Sequence, residues 1–393
     1  MGKYDKLFEE ITLGNKVTVK NRFMLAPMCD DSSDDGEVND QQVAYLGLRS
    51  ADVGIANTGY AYVNDSGIQI KGQISAAHDK NITGLSKLAY AMKRGGAKAI
   101  LQLSHAGRDA TGSHEYGNRV YAPSQVDFPW VHYDFSEMTE QDIQQMIQDY
   151  KQATRRAIQA GFDGIEIHNC NHDLLQQFFS SYSNRRTDQW GGSLEKRMAF
   201  PLAILKSVRE AAILENRNDF IIGWRISPEE RHGQTVGYDV DEMVQQTNKV
   251  LNEGIDYLNL SLNIAAGYNN GKRPDYNAIP INHKKSFATI FRELAGNIPV
   301  YVGTNIFSAD DALKASDSDE GVAGVYVGRE MLIDPNFVNK IKNHKEEQII
   351  NTTTIEHLRD VKLPDGFIDN YADTDGSTRS VSYRNGIPLP GLD

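Results

Sequence analysis

The chain is poor in cysteine. Cys29 and Cys170 are its two cysteines in 393 residues, too few for a disulfide framework, and no CxxC pair exists to serve redox or zinc chemistry. Such usage suits a reducing compartment, and a cytoplasmic location is expected. Long apolar runs are also missing. No stretch approaches the roughly 20 residues that a transmembrane helix needs, so no membrane partner is expected. The opening MGKYDKLFEE has no apolar segment that would read as a secretory leader. Lys6 stands where a myristoylation signal at Gly2 wants Ser or Thr. Basic charge is scarce as well: 41 Lys and Arg against 53 Asp and Glu give a net charge of -12 and a pI near 5.4. The basic residues are scattered, which argues against nucleic acid as a partner, since that needs a concentrated basic surface.

Familiar phosphate motifs are absent too. No G-x-G-x-x-G follows an apolar run, so a Rossmann dinucleotide site is unsupported. GYNNGKR at Gly267–Arg273 is one residue short of a P-loop, and Arg273 stands where Ser or Thr is needed.

What is present is alternation. Eight short apolar runs read as buried parallel strands: Asn21–Met28, Asp52–Thr58, Ala97–Leu103, Phe162–His168, Phe220–Ile226, Ile255–Ser261, Pro299–Val302 and Ala323–Gly328. Helical periodicity fills the gaps at Gln41–Ser50, Thr83–Arg94, Glu140–Ala160, Leu194–Ala212, Asp239–Glu253, Lys285–Ala295 and Ala309–Ala315, with a short last helix from Asp334. Eight β-then-α repeats predict an α/β fold of the (β/α)8 TIM-barrel type, spanning residues 1–345. Residues 346–393 read as a C-terminal extension packing on the barrel or on an oligomer partner. Long loops follow strand 3 (Ser104–Met138, rich in aromatics) and strand 6 (Leu262–His283). Both leave C-terminal strand ends, where barrel sites lie, and read as lids or binding loops.

The strand ends carry the chemistry. Ala26-Pro27-Met28-Cys29 closes strand 1, Gln102 strand 3, His168 strand 4, Arg225 strand 5, Gly303-Thr304 strand 7 and Gly328-Arg329 strand 8. Glycine turns after strands 7 and 8 are where barrels hold phosphate through backbone N–H groups. A flat, phosphate-bearing cofactor fits this layout. Gln102 offers a donor and an acceptor to a pyrimidine-like edge. Arg225 offers a permanent positive charge to a reduced ring. His168 and Asn171, three residues apart, can both donate to one substrate oxygen.

These stretches resemble the old yellow enzyme family of FMN-dependent oxidoreductases. The matching segments are KNRFMLAPMC (Lys20–Cys29), QLSHAGR (Gln102–Arg108), RAIQAGFDGIEIH (Arg156–His168), SNRRTDQWGGSLEKRMAF (Ser183–Phe200), WRIS (Trp224–Ser227) and VGRE (Val327–Glu330). The resemblance spans residues 5 to 345 and implies FMN, with NADH or NADPH as reductant and a small-molecule electron acceptor. It implies that Ala26, Pro27, Met28 and Cys29 lie along the flavin and that Gly59, expected after strand 2, meets its edge. Gln102 would bind the pyrimidine, Arg225 would face N1 and the C2 oxygen, and Gly303, Thr304, Gly328 and Arg329 would hold the phosphate. His168 and Asn171 would bind an acceptor such as an α,β-unsaturated carbonyl. A homo-oligomer is within the family's range.

One departure stands out. The resemblance calls for a proton-donating Tyr where this chain has Asp173, and an ordinary Asp is ionised at neutral pH. Burial beside a flavin would raise the Asp173 pKa toward that of a proton donor; the alternatives are a substrate-orienting role for Asp173 with the proton from His172, Tyr60, Tyr133 or water. Two other readings compete: a flavin protein that senses redox state or delivers electrons, and a barrel lyase on a phosphorylated substrate. The lyase of Schiff-base type wants Lys at a strand end, and none is there. Strand 1 ends in PMCD, not the H-x-H of a metal hydrolase, so no metal is expected.

Overall fold

The eight apolar runs become eight parallel strands closed into one barrel. We describe the protein from a computed structural model, which covers residues 2–262, 275–317 and 321–371. The barrel strands are β1 (Phe23–Leu25), β2 (Ile55–Tyr62), β3 (Lys98–Ser104), β4 (Gly164–Asn169), β5 (Ile221–Ile226), β6 (Tyr257–Leu260), β7 (Val300–Val302) and β8 (Gly324–Val327). They pair in chain order, and β8 closes against β1 through Val325 opposite Phe23. Eight helices alternate with them: α1 (Asp40–Arg49), α2 (Ile82–Lys93), α3 (Glu140–Gln159), α4 (Ala199–Leu214), α5 (Val240–Glu253), α6 (Phe287–Ala295), α7 (Ala309–Asp317) and α8 (Phe337–Lys342).

Local rules explain the helix ends. Thr139 caps α3 and forms a reciprocal pair with Asp142, which satisfies two otherwise orphaned N–H groups. Ile143, Met146, Ile147, Tyr150, Ala153 and Ala157 form its buried stripe, at helical spacing. The single helix expected over Leu194–Ala212 is instead split at Met198 into Leu194–Arg197 and α4. Pro201 lacks an N–H, so it is tolerated in the first turn of a helix and not in its interior.

Two apolar layers result. Met24, Ile55, Ile100, Ile221, Tyr257 and Tyr301 fill the barrel interior. A hairpin of Ile11–Thr12 with Thr18–Val19 adds Ile11, Leu13 and Val19 to that cluster. Gly14 of this hairpin donates to the Asp256 carbonyl at the start of β6, so the hairpin stops the N-terminal end of the barrel. The outer layer joins strands to helices through residues such as Leu103, Phe178, Phe200 and Trp224, all fully buried; each such side chain contributes about 1.5–3 kcal/mol.

Strand 2 departs from its expected end. It continues past Thr58 to Tyr62, with a register shift between Asn57 and Tyr60. Gly59 and Tyr60 therefore lie in the strand, at a bulge, and not after it. A Cβ on Gly59 would come within 2.5 Å of the Met28 carbonyl oxygen, so the close approach of β1 and β2 requires glycine.

The loop after β3 carries a short helix, Thr111–Glu115, and a two-stranded ribbon, Tyr121–Ala122 with Ser136–Glu137. Of the loop after β6, residues 263–274, including Gly267–Arg273, lie outside the described residues. A hairpin that the sequence reading did not foresee follows β5: Glu230–His232 with Thr235–Tyr238. The described part of the extension, 346–371, packs on the barrel. Phe367 meets Tyr45 of α1 edge-on, and Arg49 donates to the Val361 carbonyl. Residues 372–393 lie outside the described residues.

Candidate active site

The closed barrel brings the predicted strand ends to one mouth. Register places Gln102 opposite Glu166, Tyr60 opposite Gln102, and His168 opposite Arg225. A Cβ on Gly328 would touch the Met28 Sδ and the Ala26 Cβ, while one on Gly303 would run into the Tyr326 ring. Cys29 is buried beside Gly59.

Three features fit a flat, phosphorylated cofactor. First, Gln102 Nε2 donates to Glu166 Oε1 at 2.5 Å, and Asn259 Nδ2 donates to the other Glu166 oxygen at 3.0 Å. This fixes the Gln102 amide and leaves its Oε1 buried without a protein partner. Native structures satisfy such atoms, so it calls for a ligand donor. Second, the Arg225 Nε is likewise buried and unsatisfied by protein, with its guanidinium carbon 5.4 Å from the centre of the Tyr326 ring. Third, Thr304 and Asn305 both have positive φ, 83° and 57°. Two consecutive non-glycine residues in this region mark a strained turn, of the kind that clusters at ligand sites. Arg329 contacts Asn305 Oδ1 at 3.4 Å at the rim of this turn. Glu166 and Asn259 went unnoticed in the sequence because each reads as an ordinary strand interior position.

The backbone is strained at the tip of β4. Asn171 and His172 have φ of 57° and 69°. Ser261 Oγ donates to Asn171 Oδ1 at 2.8 Å. That contact turns the amide so that Nδ2 lies 3.1 Å from His168 Nε2. Asp173 precedes the short helix Leu174–Phe179 at the N-cap position yet makes no capping bond. Its Oδ2 instead lies 2.9 Å from His168 Nδ1, with both side chains at most 2% exposed. The angles are not those of an aligned hydrogen bond, so the contact is mainly one of charge. Gln69 Nε2 reaches the other oxygen at 3.3 Å. Burial works against a charged imidazole at His168. The Cys170 and Asp173 side chains work the other way, and the balance raises its pKa to about 10.

A second group lies beside the first. His172, Glu230 and His232 bring ligating atoms within 4.8 Å of one another. Ser180 Oγ and Gln176 Nε2 each donate to Glu230 at 2.6 Å, and His232 Nε2 lies 2.9 Å away. Both Glu230 oxygens are thus engaged by protein, and the cluster is a hydrogen-bonded network that ties the β5 hairpin to the tip of β4. Tyr182 stacks on His232 at 4.1 Å, and Trp130 of the β3 loop lies over the same ring at 6.1 Å. Burial would raise the Glu230 pKa, but hydrogen bonds from His172 and His232 overcome it and hold the carboxyl well below its ordinary range. A depressed carboxyl stabilises the fold above its unfolded pKa, near 4.3, and that contribution fades as pH falls toward the folded value. Glu230→Gln is expected to cost about 1–2 kcal/mol in urea unfolding at pH 7, with the difference from wild type shrinking below pH 4.

Asp30, Asp31, Asp34 and Asp35 follow β1 closely in the chain. Asp30 is buried and accepts from Gln42 Nε2 at 2.7 Å, and Asp35 accepts from the Tyr116 hydroxyl at 2.9 Å. His105 is also structural in its contacts: it is fully buried, accepts from the Gly107 N–H at 3.0 Å, and is held neutral by burial, which lowers its pKa to about 3.

Residues 6–348 match the model of the NADH:flavin oxidoreductase / NADH oxidase family. The chain belongs to that family. It is 37% identical over 350 residues to the probable NADH-dependent flavin oxidoreductase YqiG of Bacillus subtilis, covering 88% of this chain and 90% of the relative. It is 36% identical over 340 residues to the NADH:acrylate oxidoreductase of Vibrio harveyi, covering 86% of this chain but 33% of that protein. The fold is similar to that of the old yellow enzyme homologue from Zymomonas mobilis, with a TM-score of 0.75 at 21% identity, covering 93% of this chain and 99% of that one. The protein is an FMN-dependent oxidoreductase reduced by a nicotinamide. Among the described residues no helix is long and apolar enough to cross a membrane.

Proposed function

We propose that the protein passes reducing equivalents from NAD(P)H to a carbon–carbon double bond conjugated with a carbonyl or carboxyl group. The supporting observation is that His168 Nε2 and Asn171 Nδ2 lie side by side, 3.1 Å apart at the tip of β4, one strand from Arg225. FMN held here would supply hydride transfer between the nicotinamide and the acceptor. The chain's own residues do the rest. Gln102 and Arg225 orient the ring, and the turns at Gly303–Thr304 and Gly328–Arg329 receive the phosphate. His168 and Asn171 hold the acceptor oxygen and stabilise charge that develops on it. The relative named for acrylate fits this acceptor class.

Asp173 does not act as the missing tyrosine in this reading, because its carboxylate is committed to His168 and Gln69. The location proposed is cytoplasmic, and the partner is a small molecule. The test is the oxidative half-reaction. The yellow protein is reduced anaerobically with NADH, mixed with acrylate, fumarate or a cyclic enone, and followed by flavin absorbance. Return of the oxidised spectrum within seconds is the expected result. A flavin that stays reduced until air is admitted would favour the second reading, delivery of electrons to a partner.

A further inference from the structure

We infer that His168, positioned by Asp173, supplies the proton of acceptor reduction, passing it from Nε2 to the acceptor oxygen and not to carbon. The inference rests on the functional reading above and deepens it.

Asp173 lies against Nδ1, so a neutral His168 carries its hydrogen there. Its Nε2 then holds a lone pair and accepts from Asn171 Nδ2. A second proton on Nε2 sets two donors face to face at 3.1 Å, an arrangement relieved by an acceptor oxygen placed against both. The tip of β4 is thus shaped to hold a proton and an oxygen together. Asp173 is 1% exposed, and its oxygens face His168 and Gln69. The groups around the imidazole from each packed element are Cys170 and Asn171 on its own tip, Tyr60 of β2 with ring centres 5.7 Å apart, Arg225 of β5 and, beyond Asp173, Tyr150 of α3.

The step balances. Hydride arrives at the β-carbon, and the alkene electron pair moves to form a new double bond to the carbonyl carbon. The carbonyl pair moves to oxygen, which takes the Nε2 proton. The nitrogen keeps its electron pair, and neutral His168 retains Nδ1–H beside Asp173. The product leaves as an enol. Water protonates its α-carbon as the O–H proton is lost, and solvent recharges His168.

Two measurements decide the matter on the FMN-loaded protein. The His168 imidazole is titrated by NMR, with its resonance assigned by loss in His168→Gln. Asp173→Asn is expected to lower that pKa by about 1–3 pH units and to move the alkaline limb of the oxidative half-reaction by the same amount. An unshifted imidazole overturns the proposal. The second measurement needs no variant: an α-substituted enone is reduced in D2O by the wild type. Deuterium on both faces of the α-carbon is expected, and deuterium on one face overturns the oxygen route. Failure of every enone to reoxidise the flavin would overturn the functional reading as well, whereas one-face labelling overturns the proton route alone.

Discussion

His168→Ala is expected to slow reoxidation of the reduced flavin by an enone or enoate about 10²–10³-fold. That is the loss seen when one preorganised donor to a developing oxyanion is removed. Asn171→Ala removes the partner donor, but water can occupy part of its place, so its effect is the smaller of the two. Stopped-flow absorbance after anaerobic reduction reads the rate, and the flavin spectrum beforehand reads cofactor content. A fall below threefold at full flavin loading would mean that the acceptor oxygen lies elsewhere. The prediction depends on geometry more than on chemical type. His168 is 2% exposed, and three contacts (with Asp173, Asn171 and the Tyr60 ring) set its direction.

Arg225→Ala is expected to weaken FMN about 10–100-fold, measured by equilibrium titration of flavin fluorescence into the apoprotein. A hydrogen bond to a charged group is worth about 1.5–3 kcal/mol, and each 1.36 kcal/mol is a factor of ten. Arg225 is 7% exposed, and its Nε finds no hydrogen-bond partner in the protein. A buried Nε without a partner in the protein is costly, and a ligand acceptor there would relieve that cost. Arg225→Lys keeps the charge but loses the planar fork, and it should fall between the two. Unchanged affinity in the alanine variant would remove Arg225 from the cofactor cradle.

Much of this was legible in the sequence, for a physical reason. Strands buried on both faces are largely apolar, so each of the eight announced itself as a short run, and polar residues at their ends marked the mouth. The bulge at Gly59 was not legible, because a bulge depends on the register of a neighbouring strand. The role of Asp173 was not legible either. An Asp before a short helix reads as an N-cap, and only the positive φ of Asn171 and His172 turns it toward His168 instead. Glu230 and His232 lie some 60 residues beyond His172, on a hairpin whose existence no local pattern announced. Their contact arises from two loops that meet over the mouth.

The ring of strands also sets an order of events. The proposed cofactor cradle draws on residues from Ala26 at the end of β1 to Arg329 after β8, and β1 has no second strand neighbour until β8 is in place. During synthesis the first strand must therefore wait through some 300 residues for its partner. Pairings that span so much chain form late. Loading with FMN is accordingly a property of the closed chain. A nascent or truncated barrel lacking β8 would stay colourless, however well its first half had folded, and yellow colour in a culture would report completed closure and not merely expression.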